Sequence, residues 1–498
     1  MPRQHFLAFD LGAESGRAVL GTLADGRLTL DEKHRFSNPT GQINGHLHWN
    51  LLQQWEELKT GLRKTVVEGE KKLKLDGIGV DTWGVDFGLL NTDGDVLGNP
   101  FMYRDARTDG QMEATFRRVG REKIFDATGI QFMQFNTLFQ LLAMKEQNPA
   151  LLKQASTLLF MPDLFNYLFT GVRKTEMSIA STSQMVDPRT RGWATNLLRM
   201  LEVPTNLLTD IVPAGTVIGN VQQTVMDELK LTGTIPLIAP GGHDTASAVA
   251  AVPFDEQSSQ TGCYISSGTW SLMGVELDEP IINETSLKLN YTNEIGVGGK
   301  IRFLKNIMGL WLVQECRRHM VRGGHDHTYA ELTQMAARAK AFGPVIDPNH
   351  RPFLSPGDMP DKIDAFCQKT KQHVPGTRGE MIRCCLESLA LTYRRTVDGL
   401  EQILGRPIEV IHIVGGGMQN ELLNQMTADA CKRPVVAGPI EATGIGNILV
   451  QAMAVGAVKS LADARQIVRD SFPVKRYEPQ DAKKWDEAYV RYTAIVEA

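Results

Sequence analysis

Apolar residues enter the chain in short, dense runs. "HFLAFDLG" (residues 5–12) is followed by "GRAVLGTLADGRLTLDEKHRF" (16–36), with Asp25-Gly26 standing between apolar runs as a hairpin signal. The pattern predicts strand, turn, strand, turn, strand. The period then lengthens: in "WNLLQQWEELKTGLRKTVVE" (49–68), Leu51, Trp55, Leu58 and Leu62 share one face of a predicted helix. "LDGIGVDTWGVDFGLLNTDGDVLG" (75–98) returns to strand, with a second hairpin expected at Asp93-Gly94. Mixed patterns of this kind predict an α/β fold.

The opening recurs in the second half. "GCYISSGTWSLMGVELDEP" (262–280) is again strand, small-residue turn, strand. A long amphipathic helix (380–405) precedes a buried strand ending in glycines, "PIEVIHIVGGG". Helix (420–432), strand (434–439) and helix (444–458) follow. The likeness of "AFDLGAESGR" to "YISSGTWSL" suggests a duplication. Single cores stop growing near ~250–300 residues, so a chain of 498 residues predicts two large domains. Polar and turn residues cluster at 251–262, which places the boundary there. The expected division is 1–252, 253–457, and a charged helical tail, 458–498, packed on the C-terminal domain.

Composition narrows the class. Apolar content of 42%, charged content of 22% and a net charge of −4 are ordinary for a globular enzyme, and no long run of one sign offers a surface for nucleic acid or anionic membrane. No apolar run approaches the ~18–20 residues of a membrane span, and the N-terminal run is too short for a signal peptide. A cytoplasmic location is expected. The six cysteines include no CxxC and no zinc-type spacing, and are expected to be free and mostly buried.

Three small-residue turns and one carboxylate carry candidate chemistry. "DLGAESGR" (10–17) could wrap a phosphate with backbone N–H groups, the Ser15 hydroxyl and the Arg17 charge, while Asp10 could hold Mg²⁺ through water. It could equally be an ordinary hairpin. "SSGTWS" (266–271) and "HIVGGGMQN" (412–420) are further turns suited to a nucleotide, although neither a complete GxGxxG nor a Walker A motif occurs. In "GGHDTASAVA" (241–250), Asp244 suits a carboxylate that accepts a hydroxyl proton in phosphoryl transfer. Its alternative use is as N-cap of a helix beginning at Thr245. Trp83 in "DTWGVDF" offers a face for a sugar ring, and Gly84 lets a polyol approach the backbone. "YRDART" (103–108) could serve a sugar site or form a surface ion-pair cluster. Asn306 and Gln314 flank an apolar run in which a buried amide needs a partner.

Together and in this order, these motifs resemble the FGGY carbohydrate kinases, from Asp10 to about Val455. "MPDLFNYLFTG" (161–171), "TEMSIASTSQ" (175–184) and "VGGGMQNELLNQMTADACKRPV" (414–435) add to the likeness. The resemblance implies two ribonuclease-H-like (actin-like ATPase) domains with a nucleotide and sugar cleft between them. It implies ATP and Mg²⁺ as cofactors and a small sugar as partner, in a monomer or small homo-oligomer. "DTWGVDF", "GIQFMQFNTLFQL", "GGHDTASA" and "KNIMGLWLVQE" point to the branch that phosphorylates L-rhamnulose at O1. Other branches act on fuculose, xylulose or glycerol, and an actin-like ATPase switch is the reading from another class. Carried over by motif, Asp244 is the proton acceptor. Gly84, His243, Asp244, Thr245 and Asn306 contact the sugar. Ala13, Glu14, Ser15, Gly16, Arg17, Thr269, Gln314 and Gly416 contact ATP, and Asp10 lies near Mg²⁺. Two departures stand out: Ala13-Glu14-Ser15 where many relatives have Thr-Thr or Ser-Ser, and Gly446-Asn447 where many have two alanines. Glu14 is expected to point away from the phosphates.

Overall fold

Phe6–Leu11 is buried at every position. A run like this belongs in the middle of a sheet with both faces covered. The computed structural model describes residues 3–67 and 73–497 and divides into two compact units. The first comprises Met1–Ala251, Glu276–Phe303 and Ala442–Ser471; the second comprises Val252–Val275, Leu304–Glu441 and Phe472–Ala498.

The sheet of the first unit is built from β1 (Gln4–Leu11), β2 (Ser15–Ala24), β3 (Arg27–Ser37), β4 (Gly77–Thr82), β5 (Val217–Asn220) and β6 (Pro236–Ile238), in the order β5-β6-β4-β1-β2-β3. The first three strands are antiparallel, and β1 also pairs parallel with β4. Asp25 and Gly26 both have positive φ, 49° and 74°, as a two-residue hairpin turn requires. The predicted helix is Leu51–Val66, with Leu51, Leu58 and Leu62 buried; Glu68, the last residue of the expected span, lies outside the described residues. The opposite end of the chain completes this unit. Helix Ala442–Ala454 crosses helix Asp244–Ala250 so closely that a Cβ on Gly446 would stand 1.8 Å from the Ser247 carbonyl oxygen. Asn447 and Gln451 of the same helix donate to the carbonyls of Gly79 and Leu7, at 3.2 and 3.1 Å.

The second unit repeats the motif with β7 (Gly262–Ser267), β8 (Trp270–Leu277), β9 (Val410–Val414), β10 (Val435–Ala437) and β11 (Lys475–Tyr477). β7 is antiparallel to β8 and parallel to β9; β9 is parallel to β10, and β10 antiparallel to β11. The long helix Arg378–Leu404 buries its apolar face here, and Tyr393 Oη lies 2.6 Å from Ser271 Oγ. All six cysteines are free and buried.

Two expectations change. Asp93-Gly94 does not open a full hairpin: Phe87–Leu90 pairs with Thr157–Phe160, leaving one bridge, Leu90 to Val96, across the turn. The segment beyond residue 457 is not a single tail on the C-terminal domain. Helix Leu461–Ser471 belongs to the first unit, burying Ala464 and Val468, with Ser471 Oγ accepting the Leu28 N–H at 2.9 Å. Helix Ala482–Val496 lies in the second unit, with Tyr492 Oη 2.8 Å from Thr392 Oγ1.

Candidate active site

In the first unit the ends of β1 and β4 meet the turn before Asp244. Trp83 N donates to the Leu11 carbonyl (3.2 Å) and Thr82 N to the Gly242 carbonyl (2.9 Å). Gly241 and Gly242 are required by close approach: a Cβ on Gly242 would lie 2.9 Å from Glu176 Oε2, and one on Gly241 would lie 2.8 Å from Ser247 N. Glu176 Oε2 accepts the Gly242 N–H (2.9 Å), the Ser178 hydroxyl (2.5 Å) and the Ile179 N–H (3.1 Å), while Ser178 Oγ accepts the His243 N–H (3.2 Å). A buried carboxylate therefore fixes the backbone that presents Asp244.

Asp244 does not cap its helix. The N-cap is His243, without a side-chain capping bond, and Asp244 is the first helical residue. Its side chain keeps 29% exposure, and its Oδ1 accepts the Thr245 hydroxyl at 3.1 Å. His243 Nε2 lies 3.4 Å from the same oxygen. Gly84 faces this pair, since a Cβ there would stand 3.4 Å from His243 Nε2. The structure thus brings Gly84, His243, Asp244 and Thr245 together.

Asp10 is the register partner of both Arg17 and Asp81. Arg17 Nη2 donates to Asp10 Oδ2 at 2.6 Å, and Asn447 Nδ2 to Asp81 Oδ2 at 2.6 Å. Burial holds Asp81 well above the ordinary carboxylate range; the Asp10 charge adds to this, Asn447 opposes it, and the Asp244 charge adds again. Burial also raises Asp244, against the opposing influence of His243 and with the support of Asp10. A carboxylate made more basic in this way is a better proton acceptor once ionised. Among the described residues, no group of three or more His, Cys, Asp or Glu side chains is arranged to hold a metal ion directly.

The loop after Asp10 is held from beneath. Gly12 N donates to the Ser15 carbonyl, Asn38 N to the Glu14 carbonyl and Asn38 Nδ2 to the Gly12 carbonyl, each at 2.9 Å. Gln54 in turn donates to Asn38 (2.6 Å). Ala13 and Ser15 are half-buried, and Glu14 is exposed. Gly16 has a packing role, because a Cβ would stand 2.2 Å from the Phe36 ring.

The remaining expected contacts lie in the second unit: Thr269 and Gly416 follow the adjacent parallel strands β7 and β9, and Asn306 and Gln314 stand on other elements. Thr269 accepts the Gly309 and Trp311 N–H groups through its carbonyl, at 3.1 and 3.2 Å, which ties the 266–271 turn to the start of the helix carrying Gln314. Gln314 Oε1 is buried and has no partner among the described residues. Gly415 (φ 86°) and Gly417 pack on Ser267, while a Cβ on Gly416 would meet nothing within 4 Å. Asn306 lies half-buried on strand Ile301–Met308.

One sugar-site suggestion and one surface reading are corrected. Trp83 is 5% exposed, packs on Trp49 with centroids 4.1 Å apart, and donates its indole N–H to Asp86 (3.0 Å), so its face is core. "YRDART" is a buried network and not a surface cluster: Asp105 accepts the Leu47 and Arg107 N–H groups, and Arg107 donates to Gln140. Glu176, Glu294, Arg302 and Asn447, none of them among the sequence-expected site residues, contact the candidate site through Gly242, His243 and Asp81. Glu176 left a trace as a carboxylate two residues before a serine at a helix start, and Asn447 as part of the Gly446-Asn447 departure.

The residue arrangement defines a class. Residues 5–251 match the N-terminal domain, and 263–455 the C-terminal domain, of the FGGY family of carbohydrate kinases. The chain belongs to that family and is an enzyme that transfers phosphate to a sugar hydroxyl. It is 44% identical over 496 residues to the rhamnulokinase of Bacteroides thetaiotaomicron, covering 99% of this chain and 100% of that protein. It is 40% identical over 471 residues to the rhamnulokinase of Oceanobacillus iheyensis, covering 95% and 97%. Its fold superposes on the ligand-bound xylulose kinase of Lactobacillus acidophilus with a TM-score of 0.80 at 16% identity, covering 99% of this chain and 98% of that one. No helix of the described residues is long and apolar enough to cross a membrane.

Proposed function

We propose that the chain transfers the γ-phosphoryl group of ATP to O1 of L-rhamnulose, giving L-rhamnulose 1-phosphate and ADP, as a step of rhamnose catabolism. The observation that supports it is the part-exposed carboxylate of Asp244, on a rigid turn beside His243 and Gly84, in a chain whose full-length relatives are rhamnulokinases. Asp244 aligns O1 and accepts its proton as the oxygen bonds to phosphorus, because a sugar hydroxyl is too weak an acid to ionise first. Gly84, His243, Thr245 and Asn306 orient the sugar. The 13–17 loop, Thr269, Gln314 and Gly416 bind ATP; the buried oxygen of Gln314, without a partner among the described residues, is a polar group suited to a ligand donor. Asp10 would hold Mg²⁺ through water, which fits a carboxylate already ion-paired with Arg17 near the end of β1 and a cation that keeps most of its waters. Bound Mg²⁺ neutralises charge on the phosphates.

A coupled ADP-release assay with Mg²⁺-ATP tests the reading across L-rhamnulose, L-fuculose, D-xylulose, glycerol and no sugar. Release should depend on rhamnulose, and Asp244→Asn should lower kcat by about 10²–10⁴. Preference for another sugar would move the specificity, and equal release with and without every sugar would overturn the kinase reading.

A further inference from the structure

Behind His243 lies a buried charge pair that the transfer reaction does not by itself require. Arg302 is 0% exposed at its side chain and Glu294 5%, with Nη2 and Oε2 3.1 Å apart. The same Nη2 lies 3.2 Å from His243 Nδ1, and Nε and Nη2 reach the Ile295 carbonyl at 3.4 and 3.3 Å. Glu294 Oε2 is also 3.3 Å from His243 Nδ1. All three side chains belong to the first unit. Burying a guanidinium is costly, and nothing about sheet packing calls for one behind an imidazole.

Hydrogen-bond chemistry limits what this triangle can be. A guanidinium only donates, so an Arg302 N–H directed at Nδ1 needs the lone pair there. Nη2 carries two hydrogens, one directed at His243 Nδ1 and the other at the Ile295 carbonyl, while Glu294 Oε2 faces the guanidinium as an ion pair. A proton on Nδ1 would face Glu294 but would also oppose the Arg302 N–H and leave it without its acceptor. With Nδ1 accepting, the proton of the neutral ring sits on Nε2, the nitrogen that faces Gly84 and lies 3.4 Å from Asp244 Oδ1.

We propose that Arg302 and Glu294 are positioning residues that lock His243 as its Nε2–H tautomer, making it a hydrogen-bond donor to Asp244 and the sugar. The consequence reaches the reacting oxygen. With Oδ1 engaged by Thr245 and His243, Oδ2 is the oxygen that turns to the substrate hydroxyl. Substrate binding should shorten the 3.4 Å separation, as catalytic hydrogen bonds tighten in the reactive complex. This inference rests on the sugar-kinase reading for its effect on rate, but its structural content does not.

The test uses full-length protein labelled with ¹⁵N-histidine, with the His243 signal identified by its loss in His243→Gln. At pH 7.5, long-range ¹H–¹⁵N correlation should show His243 protonated at Nε2 and bare at Nδ1. A proton on Nδ1, or on both nitrogens, overturns the proposal. Arg302→Met should shift the ring toward Nδ1–H, now facing Glu294, and lower kcat by about tenfold or more with the KM for ATP unchanged. Arg302→Lys, which keeps a donor, should recover part of both. An unchanged tautomer in Arg302→Met also overturns it. Should that variant not fold, the wild-type and Arg302→Lys spectra still decide. A protein inactive on every sugar would sink the functional reading and leave the tautomer result standing.

Discussion

At Asp86 three N–H donors converge on one buried oxygen: the indoles of Trp49 (2.7 Å) and Trp83 (3.0 Å) and the backbone of Tyr103 (3.1 Å). Burial nevertheless outweighs these bonds and pushes the carboxyl up to about 6. Between about pH 4 and 6 the folded protein holds a proton that the unfolded chain has released, so acidification favours the fold. The wild type should therefore gain stability relative to Asp86→Asn as pH falls from 7 to 4.5, by up to about 2 kcal/mol. Urea unfolding of the pair at matched pH values would show it. At Glu176 the effect is one of satisfaction. Removing its oxygens in Glu176→Ala strands the N–H groups of Gly242 and Ile179 and the Ser178 hydroxyl. A loss of at least ~2 kcal/mol is expected, read as a lower Tm, with kcat falling before the KM for ATP changes. Asp10 and Asp244 drew notice in the sequence because each adjoins a small-residue turn, one near the end of β1 and the other at a helix start. Glu176, Glu294 and Arg302 were not legible, because the partners that tie them to the site, Gly242 and His243, lie more than fifty residues away and only the folded backbone brings them together.

Among elements, period carried most of the information. The strand meander around Asp25-Gly26 and the helices at 51–66, 378–404 and 421–431 follow directly from spacing two and spacing 3.6. The turn at Asp93-Gly94 failed as a hairpin predictor because a local signal cannot weigh a better distant partner, here Thr157–Phe160. The Gly446-Asn447 departure finds its reason at this scale. The glycine admits the helix crossing, and the asparagine binds the buried carboxyl of Asp81. Gly446→Ala should force the two helices apart and cost about 1–3 kcal/mol, as overpacked cores do. Differential scanning calorimetry would check this, and an unchanged Tm would show that the crossing yields freely.

For the whole molecule, the order of residues along the chain and the order of packing differ. Residues 442–471 return to the unit that the first half of the chain begins, and no amphipathic pattern states which sheet a helix will cover. A fragment ending at residue 252 lacks Asn447, Gln451 and Ile448, the side chains that fill the space over Gly79, Gly77 and Gly21. Such a fragment should show no cooperative thermal transition, and adding residues 442–471 in trans should restore helical signal by circular dichroism. The same return has a consequence for synthesis. A ribosome working at about 5–20 residues per second needs on the order of 10–40 s to pass from residue 251 to residue 471. Throughout that interval the nascent chain carries its reactive aspartate above an unfinished floor, with apolar strand faces open to any chaperone that arrives before its own C-terminal helix does.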